Sequence, residues 1–299
     1  MPNGDLLIDE SEIATVTTSD TDAGVITIDT NSLQISNCLI TSSTEGVNGE
    51  NGVVEAGNAG VVVITATDEA RLRDGSQISS SSSGDGNADQ VTLIAGTVDL
   101  GGESSIDSEV TAEGGDATAG MVLVNSQEDI TLDGRSRIST SAMSDGLAGQ
   151  VSLIATGDVK LTSQSEVSSN SVGNGAAGEI LVSAESLDLS GESTINSSAI
   201  ARDGVVSTAD AGTVTIAVND NLFLSDRSAI STNTATQGSG SVTDAGSISV
   251  VAASVDLSEG EITSETTGDA NAGEVDIKAS GDLNVSPVSY THLTLPTKA

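Results

Sequence analysis

The chain has 299 residues, of which 44 are Asp or Glu and 9 are Lys or Arg, for a net charge of −35. So few cations argue against nucleic acid or an anionic membrane surface as a partner. One Cys allows no internal disulfide and no thiolate metal cage. At 36% hydrophobic the chain still carries enough Val, Ile and Leu to fold. Its longest apolar runs, such as residues 61–64, fall far short of a membrane span, and the opening residues 1–5 show no signal-peptide pattern.

Taken in chain order, residues 1–22 hold a partial unit, with Leu6/Ile8 and then Ile13 as its apolar positions. From Ala23 onward a repeat is audible. Ala-Gly recurs at Ala23, Ala59, Ala119, Ala148, Ala177, Ala211, Ala245 and Ala272, with a degenerate Ala88-Asp89, at a mean spacing of about 31 residues. After each junction come two alternating apolar residues: Ile26/Ile28, Val62/Ile64, Val91/Leu93, and so on to Val275/Ile277. A second pair follows, from Leu33/Ile35 through Ala70/Leu72 and Leu222/Leu224 to Leu283/Val285. The third element is a branched residue with Ser or Thr two places on, as in Ile40/Ser42, Ile138/Thr140 and Ile262/Ser264. A Gly-, Ser-, Asn- and Asp-rich stretch of variable length leads to the next Ala-Gly.

Residues two apart share one side of a strand, so each repeat predicts three short strands. Such strands cannot bury a face alone. Stacking successive repeats predicts three parallel sheets around a common apolar interior. The predicted fold is therefore all-β, a right-handed parallel β-helix of roughly eight full coils plus partial ends, spanning residues 23–287. All three prolines, Pro2, Pro287 and Pro296, lie near the ends, as expected if interior residues donate to ladders. The inward Ser/Thr column is expected to satisfy backbone groups of the corners.

Residues 288–299 break the pattern: they hold the only Tyr and the only His and no acid. This run resembles a translated sequencing adapter, and it is expected to be non-native. Neither end shows a capping unit, so the chain reads as a piece of a longer one.

The motif Ala-Gly-x-Val-x-Ile, Leu-x-Leu, Ser-x-Ile-Ser-Thr stands in full at Ala211–Ile216, Leu222–Leu224 and Ser228–Thr232. It resembles the coils of filamentous-haemagglutinin-like, two-partner-secreted exoproteins of the cyanobacterial style. That resemblance implies a secreted or cell-surface adhesin passenger, exported by an outer-membrane barrel transporter, with a glycan or protein receptor as partner. The family's N-terminal secretion domain is not visible here.

Chemistry is sparsely marked. The alternative to a stalk is a carbohydrate-active lyase or hydrolase, which needs clustered carboxylates beside a basic residue. Acids are instead spread evenly, and Arg71/Arg73 and Arg135/Arg137 read as isolated charges on an acidic face. No catalytic, cofactor-binding or metal-ligating residue is assigned. Asp22, Asn58, Asn87, Asp210, Asp244 and Asn271 precede the junctions and are read as Asx turns rather than calcium loops, with only weak, diffuse calcium attraction expected; a calcium-stabilised surface-layer rod is the remaining alternative. Phe223 is expected to point outward beneath a long loop, and Cys38 to be a small, partly buried hydrophobe.

Overall fold

The computed structural model describes residues 4–48, 54–112, 115–200, 209–235, 244–267 and 271–286. Every regular element among them is a β-strand. Parallel strands stack into a solenoid of about nine turns, with equivalent residues about 29 apart. The step is shorter than the mean junction spacing because three junctions are long, as between Ile26 and its partner Val62. Residues 288–299 lie outside the described residues.

Each apolar pair sits where period 2 places it. Val62, Val91, Val122, Val151, Ile180 and Val214 follow one another up the first-strand ladder. Ile130, Val159, Leu187, Leu222 and Val255 do so up the second, and Ile106, Ile138, Val167, Ile195 and Ile230 up the third. These side chains are buried in one continuous core. The partial unit also fits, since Leu6 pairs with Leu33, Ile8 with Ile35 and Ile13 with Ile40. Ladders of identical register bury like against like, so the core is a stack of aliphatic layers, each closed by its neighbours.

One expectation is corrected. The first and second strands do not form separate sheets. They belong to one 17-stranded sheet, while the third strands form a 9-stranded sheet of their own. The reason lies in two coils, where Val62–Arg73 and Val91–Leu100 run through the corner without a break. In the other described coils this corner is turned by a short irregular step, and Ser126 shows how: its hydroxyl donates to Gly96 O and to Asp129 O. A small antiparallel pair, Val47–Asn48 with Val54–Glu55, stands apart from both sheets.

The Ala-Gly junction is the tightest point of the coil. Gly60, Gly149, Gly178, Gly212 and Gly246 each lie so close to the glycine one coil earlier that an added Cβ would collide with its carbonyl oxygen. A second such column, Gly57, Gly86, Gly146 and Gly175, precedes the Ala residues by two. Close approach, rather than a left-handed φ, is what demands glycine here. Gly75 is the contrasting case, with φ near 74° and open space around its missing Cβ. Gly149→Ala is expected to destabilise by about 3 kcal/mol or more, because backbone must move, against about 1 kcal/mol for Gly75→Ala. Thermal melts of the two variants side by side check this; equal losses would refute the packing account.

Candidate functional site

The corner between the third strand and the next coil is built from hydroxyls. Ser169 Oγ donates to Gly149 O at 2.8 Å and accepts from Gly178 N at 2.9 Å. Ser108 does the same between Asp89 O and Gly120 N, and Ser42 between Gly24 O and Gly60 N. Thr15 and Ser42, and Thr140 and Ser169, also bond one another along the rod. The column serves turn backbone, as its sequence position predicts. Ser42, Ser108 and Ser169 are buried, so the loss of any one strands the glycine N–H that it accepts from.

A second buried hydroxyl column opens the third strand, at Ser76, Ser104, Ser136, Ser165, Ser193 and Ser228. Ser165 Oγ donates to Thr162 O at 2.7 Å, and Ser193 Oγ accepts from Ser165 N at 3.2 Å. The Ser of Ser-x-Ile marks this column in the sequence. Cys38 occupies this column beside Ser76, is buried, and its thiol donates to Ser36 O at 3.0 Å. A thiol there replaces a hydroxyl in the same structural task.

The Asx residues before the junctions form inter-coil ladders instead of local turns. Asp22 Oδ1 accepts from Asn58 N at 2.8 Å, and Asn58 Oδ1 from Asn87 N at 2.9 Å. Asp210 Oδ1 likewise accepts from Asp244 N, and Asp244 Oδ1 from Asn271 N. The correction has a simple cause: in a stacked coil the nearest unpaired N–H belongs to the next turn up. Among the described residues no group of three or more His, Cys, Asp or Glu side chains is gathered as a metal site.

The arginine pairs are also corrected, since none is isolated. Arg71 bridges Glu69 and Asp99, Arg73 pairs with the same Asp99, and Arg137 lies 4.0 Å from Asp107. Arg135 reaches Glu103 at 3.3 Å and Gln164 at 3.0 Å. Apart from Arg71–Glu69, which lies within one strand, these pairs join neighbouring coils, which is why adjacent numbering hid them.

Arg135 also lines an open groove of about 760 Å³ along the turn between second and third strands. Two successive residues per turn take positive φ, as at Gly134/Arg135, Ser163/Gln164, Gly191/Glu192 and Asp226/Arg227. The first of each pair, Gly134, Ser163, Gly191 or Asp226, also lines the groove. The second projects, and the column reads Glu103, Arg135, Gln164, Glu192, Arg227 and Glu259. Gln164 Nε2 donates to Glu192 Oε2 at 2.8 Å, and Arg227 pairs with the same carboxylate. Gln164 and the Arg227 charge hold the Glu192 carboxyl below its ordinary range. The groove thus sets two arginines, Arg135 and Arg227, among four carboxylates, Glu103, Glu192, Asp226 and Glu259.

Phe223 points outward, as expected, on a ladder between Asp188 and Asp256, and is 36% exposed. The long junctions expected to cover it, residues 201–208 and 236–243, lie outside the described residues. Burial raises the Asp188 carboxyl, and its Oδ1 has no hydrogen-bond partner among the described residues.

On the outer face of the third-strand sheet, Asp107 stands in a column that also holds Thr41, Ser79, Ser139, Ser168 and Asn196. It is 1% exposed. Gln77 Nε2 and Ser105 Oγ donate to it at 3.0 and 2.8 Å. Burial nevertheless outweighs these bonds and pushes its pKa up, and Glu109 is raised by its own burial and by Asp107.

Comparison with protein families, curated proteins and solved structures finds no match to this chain. Function must therefore be argued from these residues.

Two expected outcomes follow from the geometry. Ser169→Ala, which strands Gly178 N–H while Gly149 O keeps its bond from Thr140 Oγ1, should cost about 1–3 kcal/mol in urea denaturation; a neutral result would show that water replaces the hydroxyl. The folded state holds the Asp107 proton more tightly than the unfolded chain does. Its contribution is therefore complete below the ordinary carboxylate range, near pH 4, and is lost as pH rises through the raised folded value. Asp107→Ser should accordingly raise Tm at pH 7 and leave it little changed at pH 3.5. A lower Tm at pH 7 would show that the pairing with Arg137 outweighs desolvation.

Proposed function

We propose that this chain is a non-catalytic stalk segment of a secreted or surface-exposed, adhesin-like exoprotein. The observation that carries this reading is the unbroken register: the second-strand ladder continues from Leu6 to Val285, with its paired apolar positions buried from Leu33 to Leu257. A coil that contacts only its neighbours makes a spacer whose length scales with copy number.

Two further features support it. Polar side chains that could in principle do acid–base work are instead committed to bonds between coils: Asp22, Asp210 and Asp244 to backbone N–H groups, Asp99 and Glu192 to arginines. The build also suits export through a barrel transporter. Coils can add one at a time as the chain emerges, and the single Cys38 is a buried free thiol in a structural column. The resemblance of the repeat to two-partner-secreted exoproteins points the same way.

A whole-coil deletion tests the idea. Removing residues 149–177 rejoins Ala148 to Gly178, restores Ala-Gly, and takes out one 29-residue step. For a stalk, the shortened chain keeps its β-type circular dichroism, and antibody still labels intact cells of the source organism expressing it. Labelling only after lysis would overturn surface display. Release of reducing sugar or unsaturated products from a polysaccharide panel by the intact chain, abolished by the deletion, would replace the stalk with a carbohydrate-active enzyme.

A further inference from the structure

We infer that the outer face of the first strands docks a second copy of this chain, the two rods lying face to face and antiparallel. The first observation is where charge is left out. From Val61 to Val251, seven successive first strands, each with the residue before it, turn three positions outward. Glu179 is the one ionisable side chain among these positions. The other outer faces are not spared. Second strands present Asp99, Lys160, Asp188 and Asp256, and third strands present Asp107, Glu109, Arg137 and Glu166. On a chain of net charge −35, the first-strand face is the one along which two copies meet with least repulsion.

The second observation is relief. Up the central outward column large and small side chains alternate: Val63, Thr92, Leu123, Ser152, Leu181 and Thr215. The neighbouring column sets its own large residues, Ile94 and Ile154, on the strands where the first is small. Thr92 and Ser152 point outward yet are only 7% and 6% exposed, so they floor hollows between half-buried aliphatic knobs. A two-fold axis along the strand direction, between the strands of Leu123 and Ser152, makes this pattern fit itself. It sets Leu123 over the second copy's Ser152, Leu181 over its Thr92 and Val63 over its Thr215. Ile94 then meets Ser183, Ile154 meets Asn125, and the lone acid Glu179 meets the amide of Gln90. Each contact occurs twice, as an isologous pair requires. Sheets pack in this way at about 10 Å with their strands nearly aligned. Seven strands at about 4.8 Å by five residues at about 3.3 Å give a flat area of about 550 Å² per copy, or about 1,100 Å² for the pair, where specific interfaces begin. This inference concerns the rod itself and stands whether or not it serves as a stalk.

Sedimentation equilibrium of the full chain up to about 200 μM tests it. The expected result is a monomer–dimer equilibrium that tightens about threefold or more between about 50 and 300 mM NaCl, because salt screens the exposed corner acids, such as Asp68 and Glu128, that face one another at the rim. Leu123→Asp buries a charge in the interface and should weaken the dimer at least about tenfold with unchanged circular dichroism. Thr131→Asp, on the second-strand outer face, should leave it as it is. Ser152→Leu adds apolar surface but fills a hollow, so it should also weaken the pair. In a Cys38→Ser background a short bismaleimide should join Ser152→Cys chains, whose two copies lie one strand apart along the rods. It should not join Thr215→Cys chains, which lie five strands apart. A monomer at every concentration, a dimer untouched by Leu123→Asp, strengthened by Ser152→Leu or lost with Thr131→Asp, or equal cross-linking of the two cysteine variants would each overturn the proposal.

Discussion

The structure depends on one constraint: every coil must repeat the one beneath it at the spacing of hydrogen-bonded strands, about 4.8 Å. Backbone N–H groups donate to residues one turn away at corners as well as in strands. Ala59 N donates to Asn87 O, Glu103 N to Gly134 O and Arg227 N to Glu259 O. A residue therefore answers first to its counterparts above and below. Where the backbones press closest, at Gly149 over Gly120 and Gly178 over Gly149, no side chain fits at all.

The same constraint decides which polar groups go inside. A corner cannot turn toward the core without bringing peptide groups with it, and each must find a partner. Ser108, Ser169 and Ser197 meet that need with a single small hydroxyl that both donates and accepts. Ser193 does likewise at the other corner, donating to Ser190 O and accepting from Ser165 N. The outward positions are freer, and there the chain places its acids. Repulsion between them is relieved in part by arginines that reach across a coil, as Arg135 does to Glu103, and by the hydrogen-bonded amide of Gln164. Asp107, buried among hydroxyl-bearing neighbours, is where an acid departs from the local pattern at a cost in desolvation.

How much of this could be read in advance varies with the physics of each part. Paired apolar residues such as Val91/Leu93 and Leu222/Leu224 announce buried strands because alternation is local to a few residues, and repetition at a near-constant spacing announces stacking. The inward Ser/Thr column was legible for the same reason. The ladder of Asp22, Asn58 and Asn87 was not, because an Asx side chain has local and distant backbone donors within reach, and only the stacked coil brings the distant one nearer. Nor was the groove column from Glu103 to Glu259, since its members share no residue type. What they share is a left-handed backbone at one turn.

The sequence by itself determined the fold class, the interior and the net charge, because periodicity and composition need no knowledge of neighbours in space. It also marked the glycine of each junction, though not the collision that requires it. Only the tertiary structure decided which strands fuse into a common sheet, which carboxylates meet which arginines, and which polar side chains tie coils together. The pairings between coils join residues some 26 to 36 positions apart, and their partners are set by the varying length of each junction, which shifts every later residue in number while leaving it in register in space.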